Sequence, residues 1–205
     1  GDNRDLHLSL RRQRQMCIRD SSYIKLAKAI ADWILGFQDK YNGGIWGGIN
    51  DKGGKFLWMS TEHNLDAYAA FEVLYKITGE EKYHTAASKI KEWLTKEMWN
   101  PWTKRFYNGL NDPNYATDVS SWAVLSLLEP KYFGCLDFAI KYSENEQFYE
   151  PNKVKVKGFD FGSTYAESPY PDKDAVWFEG TGQMVLAFYL ASRTNEAKFY
   201  LNELY

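Results

Sequence analysis

Three acidic residues, Glu62, Asp118 and Glu179, each stand at the start of a segment rich in small and apolar residues, and each follows a long stretch of glycine and aromatic residues. Two carboxylates on either side of a bound sugar are what hydrolysis of a glycosidic bond requires. One protonates the leaving oxygen and the other activates water, with the pair about 6.5 to 9.5 Å apart in the inverting reaction. Desolvation by aromatic neighbours raises one pKa and makes that group the proton donor, while the wetter group stays ionised as base. Glu179, set between Trp177, Phe178 and the run Gly180-Thr181-Gly182, has the neighbours that suit drying. The sequence therefore points to Glu179 as acid and to Glu62 or Asp118 as base. A second use competes, because a carboxylate in the first turn of a helix satisfies free N–H groups and offsets the helix dipole by about 0.3 to 1 kcal/mol. For Asp118 the two readings stand level. For Glu62 capping is the weaker one, since Thr61 already offers a capping hydroxyl.

Around these acids lie the residues that could hold a sugar. Asp66 sits one turn after Glu62 on the same face, where two ionised carboxylates repel, so a hydrogen bond to Tyr68 or to a loop is its expected role. His63 and Asn64 complete a Glu-His-Asn triplet. In the loops, Trp46, Trp58, Trp102, Phe106, Tyr107, Phe161, Tyr165 and Trp177 alternate with Gly, Asn and Asp. Flat rings stack on the apolar faces of sugars and amides bind the hydroxyls. Trp122 and Gln183 add a ring and an amide inside the helical segments. Some of these rings must plug the base of the fold instead. His63 has no second histidine at zinc-ligand spacing, so no metal is expected. The pairs Gly43-Gly44, Gly47-Gly48 and Gly53-Gly54 lack the Lys-Ser/Thr of a phosphate loop, and no cofactor is implied.

The elements that must carry these residues are helices. From Ser22 to Gln38 apolar residues recur at helical spacing, opposite Lys25, Lys28 and Asp32, as in an amphipathic outer helix. Ser60 or Thr61 then caps a helix over 62–77 whose centre is apolar or small nearly all round, the mark of burial on most sides. The alternation repeats: an outer helix over 81–94, a buried one over 118–128 ended by Pro130, an outer one over 131–142, a buried one over 179–191 and the beginning of another from Glu196. Two internal echoes support it. The run from Leu74 to Tyr83 answers to that from Leu190 to Phe199, and Gly48-Ile49-Asn50-Asp51 answers to Gly109-Leu110-Asn111-Asp112. Such self-similarity marks units that bury their faces only against neighbours.

Residues 1–21 have no apolar periodicity. The run from Arg11 to Asp20 resembles a translated sequencing adapter, which would start the native protein near Ser21 and leave its true N-terminus and compartment open; a basic disordered arm is the other reading. The domain is taken as residues 22–205. A net charge of −2 gives no reason to expect nucleic acid or an anionic membrane surface, which need clustered Lys and Arg. No run reaches the roughly 20 apolar residues of a membrane helix. Cys17 and Cys135 are too few for a disulfide framework, and Cys135 suits an inert core thiol.

In Ser60-Thr61-Glu62-His63-Asn64-Leu65-Asp66-Ala67-Tyr68 and in Trp177-Phe178-Glu179-Gly180-Thr181-Gly182-Gln183-Met184, the chain resembles the six-hairpin glycosidase superfamily of α/α toroids. The resemblance implies an all-α fold of three to three and a half hairpins out of six, with the long loops gathered at one end. It implies a carbohydrate substrate and paired-carboxylate hydrolysis. A partial ring would expose apolar helix faces at its ends, through which copies could associate. Other functions share this scaffold. A glycan-binding module needs no acid/base pair. A polysaccharide lyase would use Asn64 with His63 or Tyr68, though Arg105 is the only arginine in the three loops to meet a polyuronate. A sugar epimerase would need two opposed histidines, and a terpenoid cyclase, suggested by Trp33 to Gln38 and Gly43 to Trp46, an Asp-rich motif that is absent.

Overall fold

The computed structural model describes residues 22–149, 153–162 and 175–205. Seven α-helices occupy most of these: α1 (Ser22–Leu35), α2 (Thr61–Thr78), α3 (Glu81–Trp93), α4 (Thr117–Leu127), α5 (Gly134–Tyr142), α6 (Phe178–Leu190) and α7 (Thr194–Glu203). The leader 1–21, with Cys17, and the loop aromatics Tyr165 and Tyr170 lie outside the described residues.

The helices form hairpins in two layers. α2 packs on α3, α4 on α5 and α6 on α7, while α2, α4 and α6 also pack side by side as an inner row. The burial follows the composition: α4 and α6 keep Ala123, Val124, Met184, Ala187 and Phe188 almost free of solvent. α3 alternates buried Tyr83, Ala86, Ala87 and Ile90 with exposed Lys82, His84 and Lys89, as an amphipathic outer helix should. Local chemistry sets the boundaries. Ser60 caps α2 by accepting the His63 N–H, and Gly79 ends it at φ 72°, a conformation open to glycine at no steric cost. α6 stops one turn earlier than its echo of α2 implies, at 13 residues against 18, with Ser192 taking up positive φ.

The expectation of an all-helical chain needs correction. Trp99–Asn100 (β1) pairs with Arg105–Phe106 (β2), and Glu144–Tyr149 (β3) with Val154–Phe159 (β4), both antiparallel. The second hairpin occupies what the sequence reads as plain loop before α6. It is tied down by cross-strand ion pairs, Lys157 to Glu144 at 2.8 Å and Lys155 to Glu146. The Tyr200 hydroxyl on α7 hydrogen bonds Glu144, and the Lys157 N–H donates to Glu203 at 2.7 Å.

Apolar side chains stay exposed at both ends of the row. Between α1 and α2 lies a groove of about 540 Å³ lined by Ile24, Ile30, Ile34, Ala70, Val73 and their neighbours. Leu186, Tyr189 and Leu190 of α6 are open at the other end. No helix among the described residues is long and apolar enough to cross a membrane. Cys135 is buried, its thiol pushed up to about 12 by desolvation and its Sγ donating to Ser120 O.

Candidate functional site

The three acids occupy equivalent places, each in the first turn of an inner helix. Successive residues one turn apart on those helices form layers, because positions i and i+4 share a face. The first layer is Glu62, Asp118 and Glu179. One turn on come Asp66, Trp122 and Gln183, each at least partly open to solvent, and Ser121 Oγ ties the last to α4 by donating to Gln183 Oε1 at 3.1 Å. Below them Ala69, Leu125 and Leu186 continue the open stripe with apolar side chains.

Loops are clamped onto the starts of α2 and α4 in the same way. The Thr61 N–H donates to Asn108 O at 2.9 Å and its hydroxyl to Tyr107 O at 2.6 Å. The Thr117 N–H donates to Phe161 O at 2.9 Å and its hydroxyl to Asp160 O at 2.6 Å. Glu62 and Asp118 thus each follow a buried threonine that fixes the next loop beside them. Ser60 bridges Gly109, where a Cβ would run into Met59 O, so only glycine permits the approach. At α6 the preceding residue is Phe178, which is exposed.

Electrostatics separates the acids. Asp118 is 5% exposed, and its Oδ1 has no hydrogen-bond partner. Its carboxyl is pushed up to about 7, first by desolvation, then by the charge of Glu62, with Asp66 and Glu179 adding to it; only the Val119 N–H pulls the other way. Three carboxylates therefore bear on Asp118. Asp66 is raised too, by desolvation and then by Glu62, while His63 opposes. Glu62 is half-buried and Glu179 exposed. The drying expected of Glu179 from its neighbours is not found, because successive residues at a helix start point in different directions. The Trp177 ring packs edge-on against Phe161 at 5.1 Å, and Phe178 lies 5.6 Å from Tyr149.

Of the other residues singled out from sequence, several flank the acids. Trp58 lies over Gly47 with its ring 5.6 Å from His63 and 6.0 Å from Phe56, which makes an exposed aromatic row beside Glu62. Phe161 and Trp177 form a second pair between the starts of α4 and α6. Trp46 is half-buried and donates through Nε1 to Asp39 at 3.2 Å.

Others are not free to meet a ligand. Asn64 is fully buried, accepting the Ile45 N–H at 2.7 Å and donating to Ile45 O and Ser60 O at 3.1 and 2.8 Å, so it pins the first loop to α2. Phe106 is core, packed on Trp99 and Tyr132. Tyr68 turns to the outer layer, facing Lys91 of α3, and Tyr107 lies half-buried under Arg105, its hydroxyl accepting from Asn100. Trp102, 89% exposed, borders a pocket over α5 with Lys104, Gly134, Asp137 and Lys141, which contains none of the three acids. The threonine clamps escaped the sequence reading, although the repeated Thr-acid step, Thr61-Glu62 and Thr117-Asp118, was there to be seen.

No protein-family model matches the chain, and a search of curated proteins gives no match. Solved structures do. The chain is similar to a family 76 glycoside hydrolase from a bovine Bacteroides thetaiotaomicron strain, at TM-score 0.56 and 16% identity over 90% of this chain and 41% of that one. It is similar to the cellobiose 2-epimerase of Bacillus thermoamylovorans B4167, at TM-score 0.60 and 14% identity over 89% and 54%. A family 76 glycoside hydrolase (mannosidase) of Bacteroides thetaiotaomicron VPI-5482 follows at TM-score 0.56 and 12% identity, over 88% and 51%. The chain spans about half the length of these structures, and at such identities the likeness is one of fold: its helical hairpins are arranged as in the corresponding part of these proteins.

Proposed function

We propose that the chain is part of an α/α-toroid glycoside hydrolase in which Asp118 is the proton donor and the wetter Glu62 or Glu179 is the base. The observation that carries this reading is the buried Asp118 carboxyl, whose Oδ1 has no hydrogen-bond partner and which is pushed up to about 7 between two more open acids on neighbouring helices. A dry carboxyl beside more open ones suits a division of acid and base work. In the reaction Asp118 gives its proton to the glycosidic oxygen as the C1–O bond breaks. The base takes a proton from the water that adds to C1. Trp58 and the Phe161–Trp177 pair stand where sugar rings would stack on either side. The roles of Glu179 and Asp118 are thus exchanged relative to the sequence expectation.

The solved structures with this fold include hydrolases and an epimerase, and the layout of histidines favours hydrolysis. His63 stands beside Glu62, but His84 is on the outer helix, stacked on Tyr75 and 3.4 Å from Glu72. A lyase loses its neutralising amide with the burial of Asn64. The apolar faces at the ends of the row would be covered by further hairpins of a longer ring or by a second copy, which the oligomeric state in solution would reveal.

The test is the dependence on leaving group. In an active protein containing this chain, Asp118→Asn should lower turnover of an unactivated glycoside by about 10²- to 10⁴-fold, the usual contribution of general acid help. A glycoside with a good leaving group should be spared, because it needs little protonation. Equal losses on both substrates would move Asp118 to base or binding work, and unchanged turnover would return it to helix capping.

A further inference from the structure

Among the described residues the charges that act most strongly on Asp118 are negative, although His63 opposes Glu62 at Asp66. Glu62, Asp66 and Glu179 all act on Asp118, and no cation is among the main influences on it. Asp118 Oδ1 is buried and without a hydrogen-bond partner, in the first turn of the helix that lies between those bearing Glu62 and Glu179. Among the described residues, several cations of the neighbouring elements are engaged elsewhere. Arg105, the arginine of the second loop, is buried and donates to Asn114 O and Pro113 O at 3.0 and 2.7 Å. Lys91 lies 2.7 Å from Glu129 in the outer layer, and Lys157 pairs with Glu144 in the β3–β4 hairpin. Among the described residues no group of three or more His, Cys, Asp or Glu side chains is placed to hold a metal ion. What the face offers a ligand is hydrogen-bond acceptors in a negative field, flanked by uncharged rings.

We infer that this face selects uncharged glycans and rejects uronate-bearing ones, with Glu62 and Asp66 as the residues that enforce the rejection. The inference deepens the hydrolase reading and rests on it only in locating the ligand at this face. A neutral sugar brings hydroxyl donors to Asp118, Asp66 and Gln183 and apolar ring faces to Trp58 and Trp177. A uronate brings a further negative charge into a site that already holds several, where like-charge contact is strongly unfavourable and no arginine fork among the described residues receives it. The discrimination is electrostatic, so salt must weaken it.

The experiment measures binding by calorimetry to a folded protein containing this chain, using a neutral panel of manno-, gluco- and xylo-oligosaccharides and a uronate panel of galacturonate and mannuronate oligomers of equal length. At low salt the best neutral ligand should bind about 10²-fold or more tightly than any uronate, and the ratio should shrink at high salt. Glu62→Gln and Asp66→Asn should each narrow it by about tenfold, mainly by admitting uronates, and circular dichroism of both variants separates this from misfolding. Uronates binding as well as neutral sugars at low salt, or no neutral sugar binding at millimolar concentration, would overturn the inference. Selective binding of neutral glycans without any hydrolysis would sink the hydrolase reading and leave this one standing.

Discussion

At the starts of α2 and α4 a buried threonine precedes the acid and clamps the following loop by its N–H and hydroxyl, whereas at the start of α6 the corresponding residue is an exposed phenylalanine. Yet the two clamped acids do not share an environment. Asp118 is nearly sealed and Glu62 half open, while Glu179 is exposed despite two aromatic neighbours in sequence. What distinguishes Asp118 is position in the row: α4 has an inner helix on each side, α2 and α6 have one each among the described residues. Dryness at this face therefore comes from flanking helices, and the residues adjacent in sequence contribute little to it.

The largest effect expected from this difference is on stability against pH. The Asp118 carboxyl rises from its ordinary 3.8 to about 7 in the folded protein. Between those values the folded state keeps a proton that the unfolded chain has released, so stability falls as pH rises through that window and levels off above it. Three pKa units correspond to about 4 kcal/mol at most. Asp118→Asn should remove this part of the slope, so that denaturant unfolding at pH 4 and pH 8 differs less in the variant by a few kcal/mol. An unchanged slope would mean that Asp118 is as wet as its neighbours, and the contrast among the three acids would collapse.

That contrast also marks how far the sequence could be read. The hairpins were legible, since a 3.6-residue apolar period distinguishes outer helices such as α3 from the evenly apolar α4 and α6. Of the second layer only Asp66 is placed by the sequence reading, one turn after Glu62; Trp122 and Gln183 have the same spacing from Asp118 and Glu179, which the structure brings out. The β3–β4 hairpin was missed although Val154-Lys155-Val156-Lys157 alternates with a period of two, because four residues are too short to outweigh the surrounding loop composition. Residue type alone makes Asn64, Tyr68 and Phe106 candidates to face a ligand. Their actual partners, Ile45, Lys91 and Tyr132, come from other elements. The state of Asp118 was illegible for the same reason, since it depends on two helices distant in sequence.

A smaller effect tests the likeness between the two clamped starts. Thr61→Val and Thr117→Val keep the shape of the side chain and remove one hydroxyl donor from Tyr107 O and Asp160 O respectively. Each should cost about 1 kcal/mol, rising towards 3 where the carbonyl finds no new partner. The two losses should agree, because the bonds have the same lengths. Thermal or urea unfolding of both variants gives the comparison, and a loss at only one of them would show that the repeated geometry is not repeated in energy.

The smallest effect belongs to Phe178, the residue that stands where the threonines stand. Its ring is exposed, makes one ring contact, with Tyr149, among the described residues, and supplies no hydrogen bond to a neighbouring loop. Phe178→Ala should therefore change stability by only about 0.5 kcal/mol, as is usual for exposed positions. It should also leave the pH dependence of unfolding untouched, because the ring does not dry Glu179. The sequence expectation makes the opposite claim: if Phe178 shields Glu179, removing it should change the pH dependence of unfolding. Unfolding curves at several pH values distinguish the two. A slope that flattens in Phe178→Ala and persists in Asp118→Asn would restore Glu179 as the shielded acid and reverse the assignment made from the row of helices.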